Sequence, residues 1–146
     1  MKYRLLAMIL LTSAVSGVAQ TAARQNASPP CAAFPCVVAS ISLANQTTAV
    51  SQTPIITATA DGLFRVTYYL ESSHIQGSTW GVAFSWTDDL KTESTGIFEA
   101  HAGSISAGTW ISRVIAGQPI TYAVTAGIRN PPGASYSLFI TVEQLQ

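Results

Sequence analysis

Only 10% of the 146 residues are Asp, Glu, Lys or Arg, against a usual share of about a quarter. Seven basic residues are matched by seven acidic ones, so the formal net charge is zero. With no basic excess to neutralise phosphates, nucleic-acid binding is not expected. With little charge and 48% hydrophobic residues, the composition is not that of a disordered chain. The apolar run Leu5–Leu11, continued more weakly to Val15, is shorter than the roughly 18 residues that begin to suggest a membrane span. Hydroxyl side chains take the place of charge, with sixteen Ser and sixteen Thr.

That apolar run has a different reading. Lys2 and Arg4 precede it, and small residues follow, with Gly17 and Ala19 at the −3 and −1 positions of a cleavage after Ala19. This is the layout of a secretory signal peptide over residues 1–19, and it predicts a secreted or periplasmic protein. Removing it takes away Lys2 and Arg4, which leaves five basic against seven acidic residues. The two cysteines, Cys31 and Cys36, lie in the remaining chain. In an oxidising compartment they are expected to close a small disulfide loop, worth about 2 kcal/mol by chain entropy. The C-x-x-C spacing of a redox pair is absent, and no further ligands lie near enough in sequence for a metal site.

Residues 20–36, with Gln, Asn, Ser, Arg and three prolines, read as a linker ending in the Cys31–Cys36 loop. Residues 37–146 read as a single all-β domain. Gly and Pro punctuate segments rich in Val, Ile, Thr, Tyr, Phe and Trp, with no sustained helical period. About nine strands are expected: Val37–Leu43, Thr48–Ser51, Ile55–Ala60, Leu63–Glu71, Trp80–Thr87, Glu93–Ala100, Ser104–Ile115, Ile120–Ala126 and Ser135–Leu145. That pattern predicts an antiparallel β-sandwich of jelly-roll type.

Alternation selects the core. Phe64, Val66, Tyr68 and Leu70 share one side of their strand, as do Trp80, Val82, Phe84 and Trp86. Ile120, Tyr122 and Val124 form a third such set, and Tyr136, Leu138, Ile140 and Val142 a fourth. The opposite positions are mostly Ser and Thr; Thr suits a strand while remaining polar. Tyr69 and Phe139 break that rule, standing on the polar sides of the two clearest strands. Two outward aromatics suggest an apolar patch for a partner, most simply a subunit contact. The strand around Trp110 has mixed sides, which makes Trp110 the candidate for an exposed, ligand-stacking aromatic.

Chemistry-bearing motifs are few. Asp88 and Asp89 lie in the cluster Asp88-Asp-Leu-Lys-Thr-Glu93 between two strands. They can shape a turn, bind calcium with loop carbonyls, or serve as a paired-acid site for hydrolysis. His74 and His101 have no partner at ligand spacing, and there is no G-x-S-x-G elbow. No cofactor is implied, and no enzyme is expected.

Three segments carry a resemblance. Asp61-Gly-Leu-Phe-Arg-Val-Thr-Tyr-Tyr-Leu70, Ala116-Gly-Gln-Pro-Ile-Thr-Tyr122 and Gly133-Ala-Ser-Tyr-Ser-Leu-Phe-Ile-Thr-Val142 resemble strands of C1q/TNF-like jelly-roll proteins. They are similar also to small bacterial and phage-borne β-proteins. The Ser-Phe-x-Gly-Phe run of the C1q/TNF last strand is missing. The resemblance implies a homo-oligomer, a trimer by analogy, that binds macromolecules and is not an enzyme, with Tyr69 and Phe139 at a subunit contact. The expectation is therefore an exported binding or structural module that self-associates through a sheet face. The alternatives are a lectin-like carbohydrate-binding module using Trp110, Asp88 and Asp89, and, more remotely, a hydrolase using the acidic loop.

Overall fold

The computed structural model describes residues 24–27, 31 and 33–146; the leader expected over residues 1–19 lies outside them. Ten strands are formed: β1 (Arg24–Ala27), β2 (Cys36–Gln46), β3 (Val50–Thr57), β4 (Gly62–Ser72), β5 (Thr79–Thr87), β6 (Thr92–Ser94), β7 (Phe98–His101), β8 (Ile105–Val114), β9 (Pro119–Ala126) and β10 (Tyr136–Gln144). No helix occurs among the described residues, and so none there is long and apolar enough to cross a membrane.

The strands make two antiparallel sheets. The first runs β1-β2-β10-β4-β8; the second runs β3-β9-β5-β6, with β7 also on β5. The pairings nest. β2 pairs with β10, β3 with β9, β4 with β8, and β5 with β6 and β7. That is one long antiparallel ribbon wrapped on itself, which is the jelly roll. The chain is thus an all-β, two-sheet jelly-roll sandwich.

Period-two alternation explains why these residues form it. Each strand turns one side inward, and the two inner sides make one core. Val66, Leu70, Val82, Ile120, Leu138 and Val142 are fully buried there. Aromatic rings join the sheets directly: Trp80 of β5 meets Tyr136 of β10 at 4.6 Å, and Tyr68 of β4 meets Phe84 of β5 at 5.6 Å between centroids. Burial pushes the Tyr136 and Tyr122 hydroxyls above the ordinary tyrosine range, because the apolar core disfavours a phenolate. The Tyr136 hydroxyl donates to the Thr48 carbonyl at 3.2 Å.

The observed strands differ from expectation in three places. Thr48–Ser51 and Ile55–Ala60 belong to one strand, β3, which runs through Pro54. Pro54 is tolerated because β3 is an edge strand, paired only with β9. Glu93–Ala100 divides into β6 and β7 around Gly96. The expected linker over 20–36 contains β1, which extends the first sheet by pairing with β2. The Cys31–Cys36 disulfide is formed, with Cα atoms 5.9 Å apart, and ties the approach segment to the first residue of β2.

Candidate functional site

The outward side of the first sheet carries the clearest candidate. Phe139 of β10 stands opposite Tyr69 of β4, with ring centroids 6.2 Å apart. Ser42 of β2 and Ala107 of β8 complete their row. Strand alternation puts both rings outward, and they are 37% and 45% exposed for Tyr69 and Phe139. Neighbouring rows bring Ile105 of β8 opposite Glu71, Ile111 opposite Arg65, and Val37 of β2 opposite Glu143. Five of the ten exposed large hydrophobic side chains among the described residues therefore gather on this one side: Val37, Tyr69, Ile105, Ile111 and Phe139. Monomeric surfaces seldom assemble apolar side chains this way without a partner.

The polar groups at the centre of this side pair among themselves, and Glu71 stands exposed at its rim. Thr67 and Thr109 share a hydroxyl hydrogen bond at 2.9 Å. Arg65 Nε donates to Glu143 Oε2 at 2.6 Å. The Arg65 donor holds the Glu143 carboxyl below the usual carboxylate range, and Glu143 raises Arg65 in turn. A charge pair in this geometry does not oppose burial against a second surface as a lone charge would.

Sequence reading located Tyr69 and Phe139 but missed Val37, Ile105 and Ile111. In β8, Ile105, Ala107, Thr109 and Ile111 alternate with Ser106, Gly108, Trp110 and Ser112. Both sides of that strand are mixed, and only its pairing with β4 shows which faces out.

Trp110 is a correction. It is not an exposed aromatic; it points inward from β8 and is half-buried against the core. Its ring lies 4.5 Å from Phe84, 6.2 Å from Phe98 and 6.4 Å from Trp86. Trp86, expected in the core, is half-buried at the same open edge of the sandwich. Together these side chains border a cleft between β8 and the β5–β7 edge.

The acidic loop is engaged in structure. Asp88 Oδ1 accepts the backbone N–H groups of Leu90 and Lys91 at 2.8 and 3.0 Å, which lowers its carboxyl from the ordinary range. That is an Asx-type turn. Asp89 pairs with Arg113 of β8, which also approaches Asp61 at 3.8 Å; Asp89 first, then the other acids, raise the Arg113 guanidinium. Neither carboxylate lines the aromatic cleft. No group of three or more His, Cys, Asp or Glu side chains with metal-binding placement occurs among the described residues. His101 lies 3.9 Å from Glu99 on the surface, and His74 packs beside Gly103.

No protein-family model matches the chain, and no curated protein matches it. Among solved structures it is similar to murine APRIL at pH 8.0, with 15% identity, covering 61% of this chain and 68% of that one, at a TM-score of 0.36. It is similar to Eiger TNF from S. frugiperda, with 14% identity, covering 77% and 94%, at a TM-score of 0.37. It is also similar to the CBM22-1–GH10 modules of Clostridium thermocellum xylanase 10B complexed with xylohexaose. There the identity is 11% and the TM-score 0.38, over 75% of this chain and 22% of that longer one. The likeness to TNF-type and APRIL jelly rolls is weak, and the fold assignment rests on the nested strand pairings.

Proposed function

We propose that this chain is an exported, non-enzymatic binding or structural module that self-associates through the outward side of the β1-β2-β10-β4-β8 sheet. The observation that carries the reading is the exposed Tyr69–Phe139 pair at the centre of that side. Aromatic rings are the residues that most often anchor interfaces, and Val37, Ile105 and Ile111 widen the apolar area around them. The surface as a whole carries little charge to hold copies apart. The Cys31–Cys36 disulfide and the signal-like first nineteen residues support export. The resemblance to C1q/TNF-like jelly rolls makes a trimer the expected state.

The lectin-like alternative loses the polar partners it was built on, since Asp88 caps a turn and Asp89 pairs with Arg113. The hydrolase alternative rested on the same two carboxylates.

Light scattering of the purified protein at micromolar concentration tests the proposal. A mass of about three chains is expected, falling to that of one chain in Tyr69→Ser/Phe139→Ser while circular dichroism stays unchanged. A parent protein that is already monomeric overturns it.

A further inference from the structure

A second opening lies at the edge of the first sheet, where Ala107 and Thr109 border both it and the outward side. Between edge strand β8 and the β5–β7 edge lies a cavity of about 400 Å³, lined by Tyr68, Trp86, Phe98 and Trp110, with Thr95 and Gly108 among the remaining wall residues. Its origin is local. Gly108 occupies an inward position of β8, and a Cβ there would lie 2.8 Å from the Tyr68 ring. The missing side chain lets Tyr68 lie under β8, where its hydroxyl meets Ser106 Oγ at 3.1 Å. On the opposite wall the chain leaves the ladder for three residues between β6 and β7. Thr95 turns back there, its N–H donating to the Phe84 carbonyl and its Oγ1 accepting the Phe84 N–H.

The walls define the ligand chemistry. Four rings lie nearly parallel in three pairs: Trp110 with Phe98 at 27°, Trp110 with Trp86 at 30°, and Tyr68 with Phe98 at 28°. No charged side chain lines the cavity. The Trp110 Nε1 donor is buried, so the indole presents carbon surface to the opening. The polar capacity is that of two threonines, Thr95 and Thr109, whose oxygens are already engaged with the Phe84 N–H and the Thr67 hydroxyl. The volume falls within the usual range for small-molecule sites, about 300–1,000 Å³.

We infer that this cleft is a binding site for an uncharged, mainly apolar ring compound, held by stacking against Trp86, Phe98 and Trp110. Stacking is the attraction such walls supply, and the scarcity of hydrogen-bonding groups disfavours a polyhydroxylated sugar, which would lose its hydration without replacement.

Titration with N-phenyl-1-naphthylamine, an uncharged fluorescent ring compound, tests the site. Saturable binding of one probe per chain is expected, with quenching of tryptophan emission and displacement by indole. Trp86→Ala and Phe98→Ala should each weaken it about tenfold or more, whereas Tyr69→Ser/Phe139→Ser should bind as the parent does. If Trp86→Ala does not fold, Trp86→Leu keeps apolar packing without the ring, and the same loss is expected. Non-saturable or absent binding by the folded protein overturns the inference. So does probe binding that survives both ring removals, or that disappears only in the sheet-face variant. Displacement of the probe by cellohexaose would replace the apolar ligand with a pyranose and overturn it equally.

Discussion

The outward sides of the two sheets are built from similar residue types and arranged to opposite ends. On the second sheet, Gln52 of β3 donates to Ser85 Oγ and Thr121 Oγ1 at 2.8 and 3.0 Å, and those two hydroxyls lie 2.6 Å apart. Around them stand Gly81, Ala83 and Ala123, with one exposed branched side chain, Ile97, lying over Gly81. The central hydroxyls of that side satisfy one another. On the first sheet, the hydroxyls of Thr67 and Thr109 also pair, but Tyr69, Phe139, Ile105 and Ile111 rise beside them into solvent. A surface rich in Ser and Thr is therefore not one surface. Hydrogen bonding closes one side and leaves the other with apolar area that another molecule can cover.

The contrast is sharpest between neighbours on one strand. Leu138 is fully buried, and Phe139 is 45% exposed. Leu138→Ala should cost about 2–5 kcal/mol, because the rigid core leaves a cavity behind. Phe139→Ala should cost under about 1 kcal/mol of chain stability and lower the solution mass. Denaturant titration alongside light scattering separates the two effects. Equal losses of stability with no change in mass would show that Phe139 serves packing alone.

The second sheet predicts the reverse pairing of effects. Ser85→Ala with Thr121→Val removes the hydroxyl contacts and strips Gln52 of its partners. A loss of about 1–3 kcal/mol is expected, since Thr121 is only 6% exposed. The mass should not move. A drop in mass here, with Tyr69→Ser/Phe139→Ser silent, would put the subunit contact on the wrong sheet.

The core was legible because strands alternate with a period of two. Phe64, Val66, Tyr68 and Leu70 could only share a side, and the same logic placed Ile120 to Val124 and Tyr136 to Val142. Among those fifteen expected core positions Trp86 alone stays half-buried, because β5 reaches the open edge of the sandwich there. What alternation does not supply is a partner. In β8 both sides are mixed, and pairing with β4 was needed to send Ile105 and Ile111 out and Trp110 in. Likewise the strands expected on either side of Pro54 are one, because β3 is an edge and an edge strand can hold a proline. The aromatic cleft has a faint sequence signal, a glycine at position 108 two residues before Trp110. Its meaning appears only once Tyr68 is seen beneath it.

The smallest expected effect distinguishes the two central clusters by pH. The first sheet's outward side holds a close ionisable pair, Arg65 and Glu143, whereas the Gln52, Ser85 and Thr121 cluster of the second does not titrate. The charges beside that cluster, Glu99 and His101, stand 3.9 Å apart in the open. Glu143 is held below its ordinary value chiefly by the Arg65 hydrogen bond. A carboxyl lowered by folding adds stability above its unfolded value, near pH 4, and that share is lost as pH falls through the lower folded value. The pair is partly exposed, so water and salt weaken it. Glu143→Gln should therefore unfold slightly more easily than the parent at pH 7, with the gap closing as pH falls below about 4. The Ser85→Ala/Thr121→Val deficit should stay constant over the same range. Thermal melts of the three proteins at pH 7, 4 and 2.5 measure both slopes. A gap for Glu143→Gln that persists unchanged into acid would mean that the glutamate acts through shape or packing and that its charge contributes nothing.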